Sequence, residues 1–170
     1  MIDKFALRSR QEGYLARSVY KLLSLNRKYR IIKKGDRVLD LGCYPGSWLQ
    51  VITELQADAY GIDIKQIFGL PKVKFILGDI TDKNIINKIK SFGKFDVVLS
   101  DLSPKVTGIK HLDEERSFEL SLTALNTAKE VLKPRGNFVC KIFQSNSFNE
   151  FLNLSKKSFS FVKSVKPEAS

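Results

Sequence analysis

Five positions along the chain carry residues that could act together. Gly42-Cys43-Tyr44-Pro45-Gly46 is a glycine turn, and acids follow at Asp63, Asp79 and Asp101, then a lysine, Lys141. The turn is not GxGxxG and lacks the third glycine that suits a pyrophosphate. It is not GxxxxGK[ST] either, so NAD, FAD and ATP all lose ground as ligands. Asp63 falls 21 residues after Gly42, where a carboxylate can accept from both hydroxyls of an adenosine ribose. An adenosine ligand without a diphosphate points to S-adenosylmethionine. Its carboxylate would rest on backbone N–H groups at the Gly46 helix start, and Asp79 could accept from the adenine amino group. Turn capping at strand ends is the competing reading for Asp63 and Asp79.

Those residues need a frame that brings them to one edge. Val38, Leu39 and Leu41 make a short apolar run, and Trp48, Val51, Ile52 and Leu55 recur at helical spacing after the turn. The spacing therefore predicts strand, glycine turn, helix over Arg37–Trp48 and onward. Further strands are expected at Ala59–Ile64, Val73–Ile80, Phe95–Asp101 and Asn137–Phe143. Helices are expected at Tyr14–Tyr29, Asp82–Phe92 (with Asp82 as N-cap), Asp113–Leu132 and Phe148–Lys157, with Lys133–Gly136 stopping the long one. A short terminal strand is expected at Phe161–Lys166, and residues 1–12 read as an arm with little periodicity. Alternating strands and helices mean an α/β fold, a mostly parallel sheet with helices on both faces. Ligands on such sheets bind beyond the carboxyl ends of the strands, where Gly42, Asp63, Asp79, Asp101 and Lys141 all fall. No repeat or linker divides the chain: residues 1–36 form a basic arm and helix, and 37–170 the cofactor-binding core of a single domain.

The 170 residues carry a formal net charge of +11. Residues 1–37 hold eleven basic side chains against three acids, which is most of that excess. A segment so charged beside a ligand-binding turn favours a polyanion, and nucleic acid before others. The chain contains two cysteines, Cys43 and Cys140, with no CxxC spacing, and one histidine, which argues against a zinc site or any other metal. No apolar run reaches the ~20 residues of a membrane span. The first residues lack the apolar stretch of a secretory signal, so the expected place is the cytoplasm, or an organelle.

RSVYKLLSL, VLDLGCYPGSW, GDI, SDLSP, HLDEERSFEL, LKPRGNFVCKIF and VKPEAS resemble, in order and spacing, the FtsJ/RrmJ-type ribose 2′-O-methyltransferases that act on RNA. The resemblance runs from about Tyr14 to Ser170. It implies a Rossmann-like methyltransferase fold, S-adenosylmethionine as methyl donor, and a Lys-Asp-Lys-Glu catalytic tetrad. The first lysine matches Lys21, the aspartate Asp101 and the second lysine Lys141. Gly46, Trp48, Asp63, Asp79 and Asp101 match the cofactor residues. Helical periodicity alone puts Lys21 off the buried face as an exposed lysine; the resemblance turns it toward substrate instead. The family's glutamate follows in a last strand beyond the KPxAS segment. The sequence stops at Ser170, so that strand is expected to be missing, and the role does not pass to Glu168.

The chemistry sets its own demands. A ribose 2′-OH is a weak nucleophile while protonated and needs in-line placement and a base. A lysine with an ordinary pKa of about 10.4 serves poorly, whereas partial burial and a neighbouring cation make it a better base. The expected substrate is RNA, ribosomal RNA of the large subunit before tRNA, modified by a monomer. A non-catalytic RNA-binding or ribosome-assembly factor with the same fold is the alternative from another class. A nicotinamide dehydrogenase stands further off.

Overall fold

The computed structural model describes residues 3–166. Strand β1 (Arg37–Leu41) is buried over Val38–Leu41 and lies at the centre of the sheet. β2 (Asp58–Asp63) and β3 (Lys74–Leu77) extend it on one side, and β4 (Phe95–Ser100) and β5 (Leu132–Cys140) on the other. The order is β3-β2-β1-β4-β5, and every pairing is parallel. Parallel neighbours require crossovers; α3 (Ser47–Glu54), α4 (Lys83–Ser91) and α5 (Lys110–Val131) supply three of them, and the irregular residues 64–73 join β2 to β3. This is the doubly wound α/β arrangement that the alternating pattern predicts.

Strand alternation sorts the core into two layers. Val38, Ala59, Val97 and Leu99 face α2 (Val19–Tyr29) and α3, with Val19, Leu22, Leu49 and Ile52 packed against them. Leu39, Leu41, Ile62 and Val98 face the opposite way, onto Ile89, Ala124, Ala128 and Val131 of α4 and α5. Asp40 shares the first face with Val38, so a carboxyl group is built into the middle of an apolar layer.

Several boundaries differ from the sequence expectation, each for a physical reason. Residues 4–11 form a helix, α1 (Lys4–Gln11), because Asp3 caps it through bonds from the Phe5 and Ala6 N–H groups at 3.0 and 3.2 Å. Phe5 then packs on Tyr20. The helix predicted from Tyr14 begins only at Val19. Residues 14–18 instead form an irregular turn, tied down by Gln50, which accepts from Leu15 N–H and donates to the Gly13 carbonyl. Leu15 is thereby half exposed and off the helix face.

The stop at Lys133–Gly136 is a break within β5. Leu132 pairs with Phe95 and Asn137 with Val97, and Arg135 takes a left-handed turn between them at φ 65°. The terminal strand expected at Phe161–Lys166 does not form. Those residues are irregular, and Phe161 is 73% exposed, with no strand beside it among the described residues. α6 (Phe148–Ser158) forms as expected.

Candidate active site

The glycine turn leaves β1 and doubles back against β2. Gly42 and Cys43 both donate to the Ile62 carbonyl, at 2.9 and 3.1 Å. Gly46 sits at φ 114°, a left-handed conformation that side chains rarely adopt, and a Cβ there would lie 2.5 Å from Leu70. Glycine is therefore required on both backbone and packing grounds. Gly46 is also the N-cap of α3 and has no side chain to cap it. The first-turn N–H groups of that helix are left as donors facing the sheet edge.

Asp63 ends β2 and is tied into the turn. One carboxylate oxygen accepts from Tyr44 N–H and the other from Lys65 N–H, each at 2.9 Å. Asp79 lies just beyond β3, and its Oδ1 accepts from the backbone and hydroxyl of Thr81, both at 2.8 Å. Capping is thus present at both acids. It fixes their direction and leaves further lone pairs for a ligand.

Trp48 is buried, and its indole N–H donates to the Ser18 carbonyl at 2.8 Å. Ser18 and Ser47 bond through their hydroxyls at 2.9 Å. These two contacts dock the start of α2 on the start of α3. Lys21, half-buried in the first turn of α2, is held at the same end of the sheet. It makes no ion pair with Asp101 among the described residues. Trp48 therefore spends its indole N–H on docking the helix that carries Lys21.

Asp101 and Lys141 are brought together. Asp101 follows β4, and Lys141 follows β5, continuing the strand pairing through its N–H to the Ser100 carbonyl at 2.8 Å. Lys141 Nζ stands 3.6 Å from Asp101 Oδ1, an ion pair longer than a direct hydrogen bond. The Phe143 ring lies beneath the ammonium at 5.6 Å.

Two residues at this edge escaped the sequence reading. Asp40 is 1% exposed, and its Oδ1 has no hydrogen-bond partner. Burial, with Asp101 and Asp63 nearby, pushes its carboxyl well above the usual carboxylate range. The signal was present: an acid inside VLDL, on the inward face. Asp113 stands in the first turn of α5. It is buried and accepts from the Thr107 N–H, the Thr107 hydroxyl and the Gly108 N–H at 2.8, 2.7 and 3.1 Å. Those bonds hold its carboxyl below the ordinary range and pin the loop that follows Asp101.

Buried side-chain oxygens without a hydrogen-bond partner gather at the ends of β1 and β4: Asp40 Oδ1, Ser100 Oγ and Asp101 Oδ1, the last with only the long ion pair to Lys141. Such groups are costly unless something completes them. Acceptors here and bare N–H donors at α3 suit a small zwitterion with a cationic and an anionic end. Burial raises the Cys43 thiol and pushes Cys140 up to about 12, so neither thiol is activated. Among the described residues no group of three His, Cys, Asp or Glu side chains is placed to hold a metal, and no helix is long and apolar enough to cross a membrane.

The basic segment is partly spent on the fold. Arg37 donates to the Tyr60 hydroxyl and to the Phe92 and Lys94 carbonyls at the opposite edge. Arg8 pairs with Glu12, and Arg17 with Asp3. Arg10, Arg27, Lys28, Arg30, Lys33 and Lys34 stay exposed. Glu168 and residues 167–170 lie outside the described residues.

Fold and site together define a methyltransferase of the Rossmann-like class. A family model described as FtsJ-like methyltransferase matches residues 14–170, and the chain belongs to that family. It is 44% identical over 169 residues to the ribosomal RNA large subunit methyltransferase E of Archaeoglobus fulgidus, covering 99% of this chain and 88% of that one. The relative of the same name from Methanosarcina acetivorans is 41% identical, and there the chain spans 63% of the length. Among solved structures, a protein of Plasmodium falciparum assigned as a ribosomal RNA methyltransferase superposes with a TM-score of 0.84 at 32% identity. That match covers 92% of this chain and 93% of the other.

Proposed function

We infer that this chain is an S-adenosylmethionine-dependent methyltransferase that modifies a ribose 2′-oxygen of large-subunit ribosomal RNA. The observation that carries the reading is the Lys141–Asp101 pair, 3.6 Å apart where β5 and β4 end. It stands beside a cradle with acceptors for a cation and N–H groups for a carboxylate. S-adenosylmethionine, when bound, supplies a methyl group on a sulfonium. Asp63 and Asp79 would hold its adenosine end, and the α3 N-terminus below Gly46 its carboxylate. Asp101 supplies negative charge near its cationic centre, and the buried Asp40 carboxyl offers an unpartnered oxygen as an acceptor.

Lys141 and Asp101 act on the acceptor. The 2′-OH would donate to Lys141 Nζ in its neutral amine form. That amine would take the proton as the 2′-oxygen bonds to the methyl carbon and that carbon's bond to the sulfonium sulfur breaks, leaving a neutral thioether. Asp101 orients the amine beforehand and steadies the ammonium afterwards. Lys21, presented from α2, adds positive charge where the 2′-oxygen carries negative charge in the transition state. The exposed cations of α1 and α2 hold the RNA backbone, without reading sequence. The protein works as a monomeric, single-domain enzyme in the cytoplasm.

The test is incubation with methyl-labelled S-adenosylmethionine and either ribosomal or transfer RNA, followed by nuclease digestion. The expected result is label in a 2′-O-methyl nucleoside from large-subunit RNA. Label in a base, or tight RNA binding without label, would overturn the reading.

A further inference from the structure

A cavity of about 390 Å³ opens at the acceptor end of the sheet edge. Its walls are the two segments that leave the Asp101–Lys141 pair. The loop after Asp101 leads to Lys110 and Glu114 in the first turns of α5. The loop after Lys141 supplies Gln144 and Asn146, and the first turn of α6 supplies Phe148 and Asn149. The cavity is an open surface groove rather than an enclosed one. In the sheet order, the glycine turn, Asp63 and Asp79 stand over β1, β2 and β3, and this cavity opens beyond β4 and β5. It is therefore on the acceptor side, away from the residues assigned to the methyl donor.

The lining has a definite chemistry. Three carboxamides, Gln144, Asn146 and Asn149, make no side-chain hydrogen bond among the described residues. Each presents both donor and acceptor, as the edge of a nucleobase does. Phe148 is half-buried and offers an aromatic ring. Lys110 has Glu114 at 3.9 Å, so the wall carries no surplus of positive charge. A carboxylate in the wall disfavours a phosphate and accepts from a base N–H instead.

We propose that this cavity is a base-reading subsite that takes an unpaired nucleobase next to the methylated ribose, stacked on Phe148 and read by Gln144, Asn146 and Asn149. This rests on the RNA methyltransferase reading above. Sequence-specific RNA recognition works largely through unpaired bases read in this way. The site would give the enzyme sequence preference that its basic arm cannot supply.

The test compares binding of fluorescein-labelled U8, C8 and A8 ribo-oligonucleotides by anisotropy, at several salt concentrations. The proteins are wild type and the Asn146→Ala/Asn149→Ala double variant; both asparagines are exposed, so the fold should survive. Wild type should prefer one oligomer by roughly fivefold or more, and the double variant should bring all three within about twofold. The salt slope should stay the same, because backbone contacts are untouched. No preference in wild type, or an undiminished one in the variant, overturns the proposal. A shallower salt slope would mean that the cavity holds phosphate, and overturns it too. Label transfer by wild type in the methylation assay is scored separately, so loss of this subsite and loss of the enzymatic reading are distinguishable.

Discussion

Over β1, β2 and β3 the carboxyl edge of the sheet is closed by its own backbone. Gly42 and Cys43 bond to Ile62, and Tyr44 and Lys65 bond to Asp63. Thr81 bonds to Asp79. Over β4 and β5 the same edge is loose. The Asp101–Lys141 pair stands 3.6 Å apart, Ser100 and Asp101 keep unpartnered oxygens, and a cavity opens beyond them. β5 is also the outer strand of the described sheet, and its side chains are mostly half-buried or exposed. The donor half is thus preorganised before any ligand arrives, which lowers the ordering cost of binding. The acceptor half keeps its polar groups available for a substrate that completes them.

Breaking the donor half should cost binding first. Asp63→Ala removes a carboxylate that shapes the turn and, on the proposed reading, holds the ribose. A hydrogen bond involving a charged group contributes about 1.5–3 kcal/mol, so calorimetry should show cofactor affinity reduced by roughly tenfold to a hundredfold. An unchanged affinity would mean that Asp63 only caps the turn. Asp113→Ala tests the other half, since it frees the loop after Asp101. Methylation should fall by about tenfold while cofactor affinity stays within twofold. That split separates positioning from general loss of stability, which would weaken both.

Asp40 gives a smaller effect with a defined sign. The folded chain keeps this carboxyl protonated at pH values where the unfolded chain releases the proton, above about 3.9. Wild-type stability therefore falls as pH rises from there toward the raised folded value. Asp40→Asn cannot titrate. Urea midpoints measured between pH 4 and pH 8 should decline with pH in wild type relative to the variant, and a parallel pair of curves would contradict the burial argument.

The sheet was legible because hydrophobic runs and glycine punctuation are local. Arg37–Leu41, the glycine turn and the Asp82 cap all stand where the sequence puts them. The errors fall where long-range contacts decide. Gln50 holds residues 14–18 out of the helix, and Asp3 makes a helix from a stretch without periodicity. Phe161–Lys166 carries the strand-favouring Phe161, Val162 and Val165 but has no strand to pair with among the described residues.

At the site, the acids at strand ends could be named from spacing, but their bonding could not. Asp63 and Asp79 cap turns and keep spare acceptor capacity, so the two readings weighed from sequence are compatible. Trp48 was legible as important, but its indole bond to Ser18 belongs to the packing of α2 on α3. Arg37 counted among the cations for RNA, yet it is locked to Tyr60 and two carbonyls at the far edge. Asp40 and Asp113 needed the fold, because burial and loop closure made them notable.

The division between a donor half and an acceptor half is tested most directly by Lys141→Ala, measuring cofactor affinity by calorimetry and single-turnover methylation of ribosomal RNA on the same preparation. Cofactor affinity should stay within about twofold of wild type, and the methylation rate should fall by at least 10²–10⁴-fold, the usual contribution of a general base. Turnover near the wild-type rate would contradict the assignment of Lys141, and so would a loss of cofactor binding large enough to account for the lost activity.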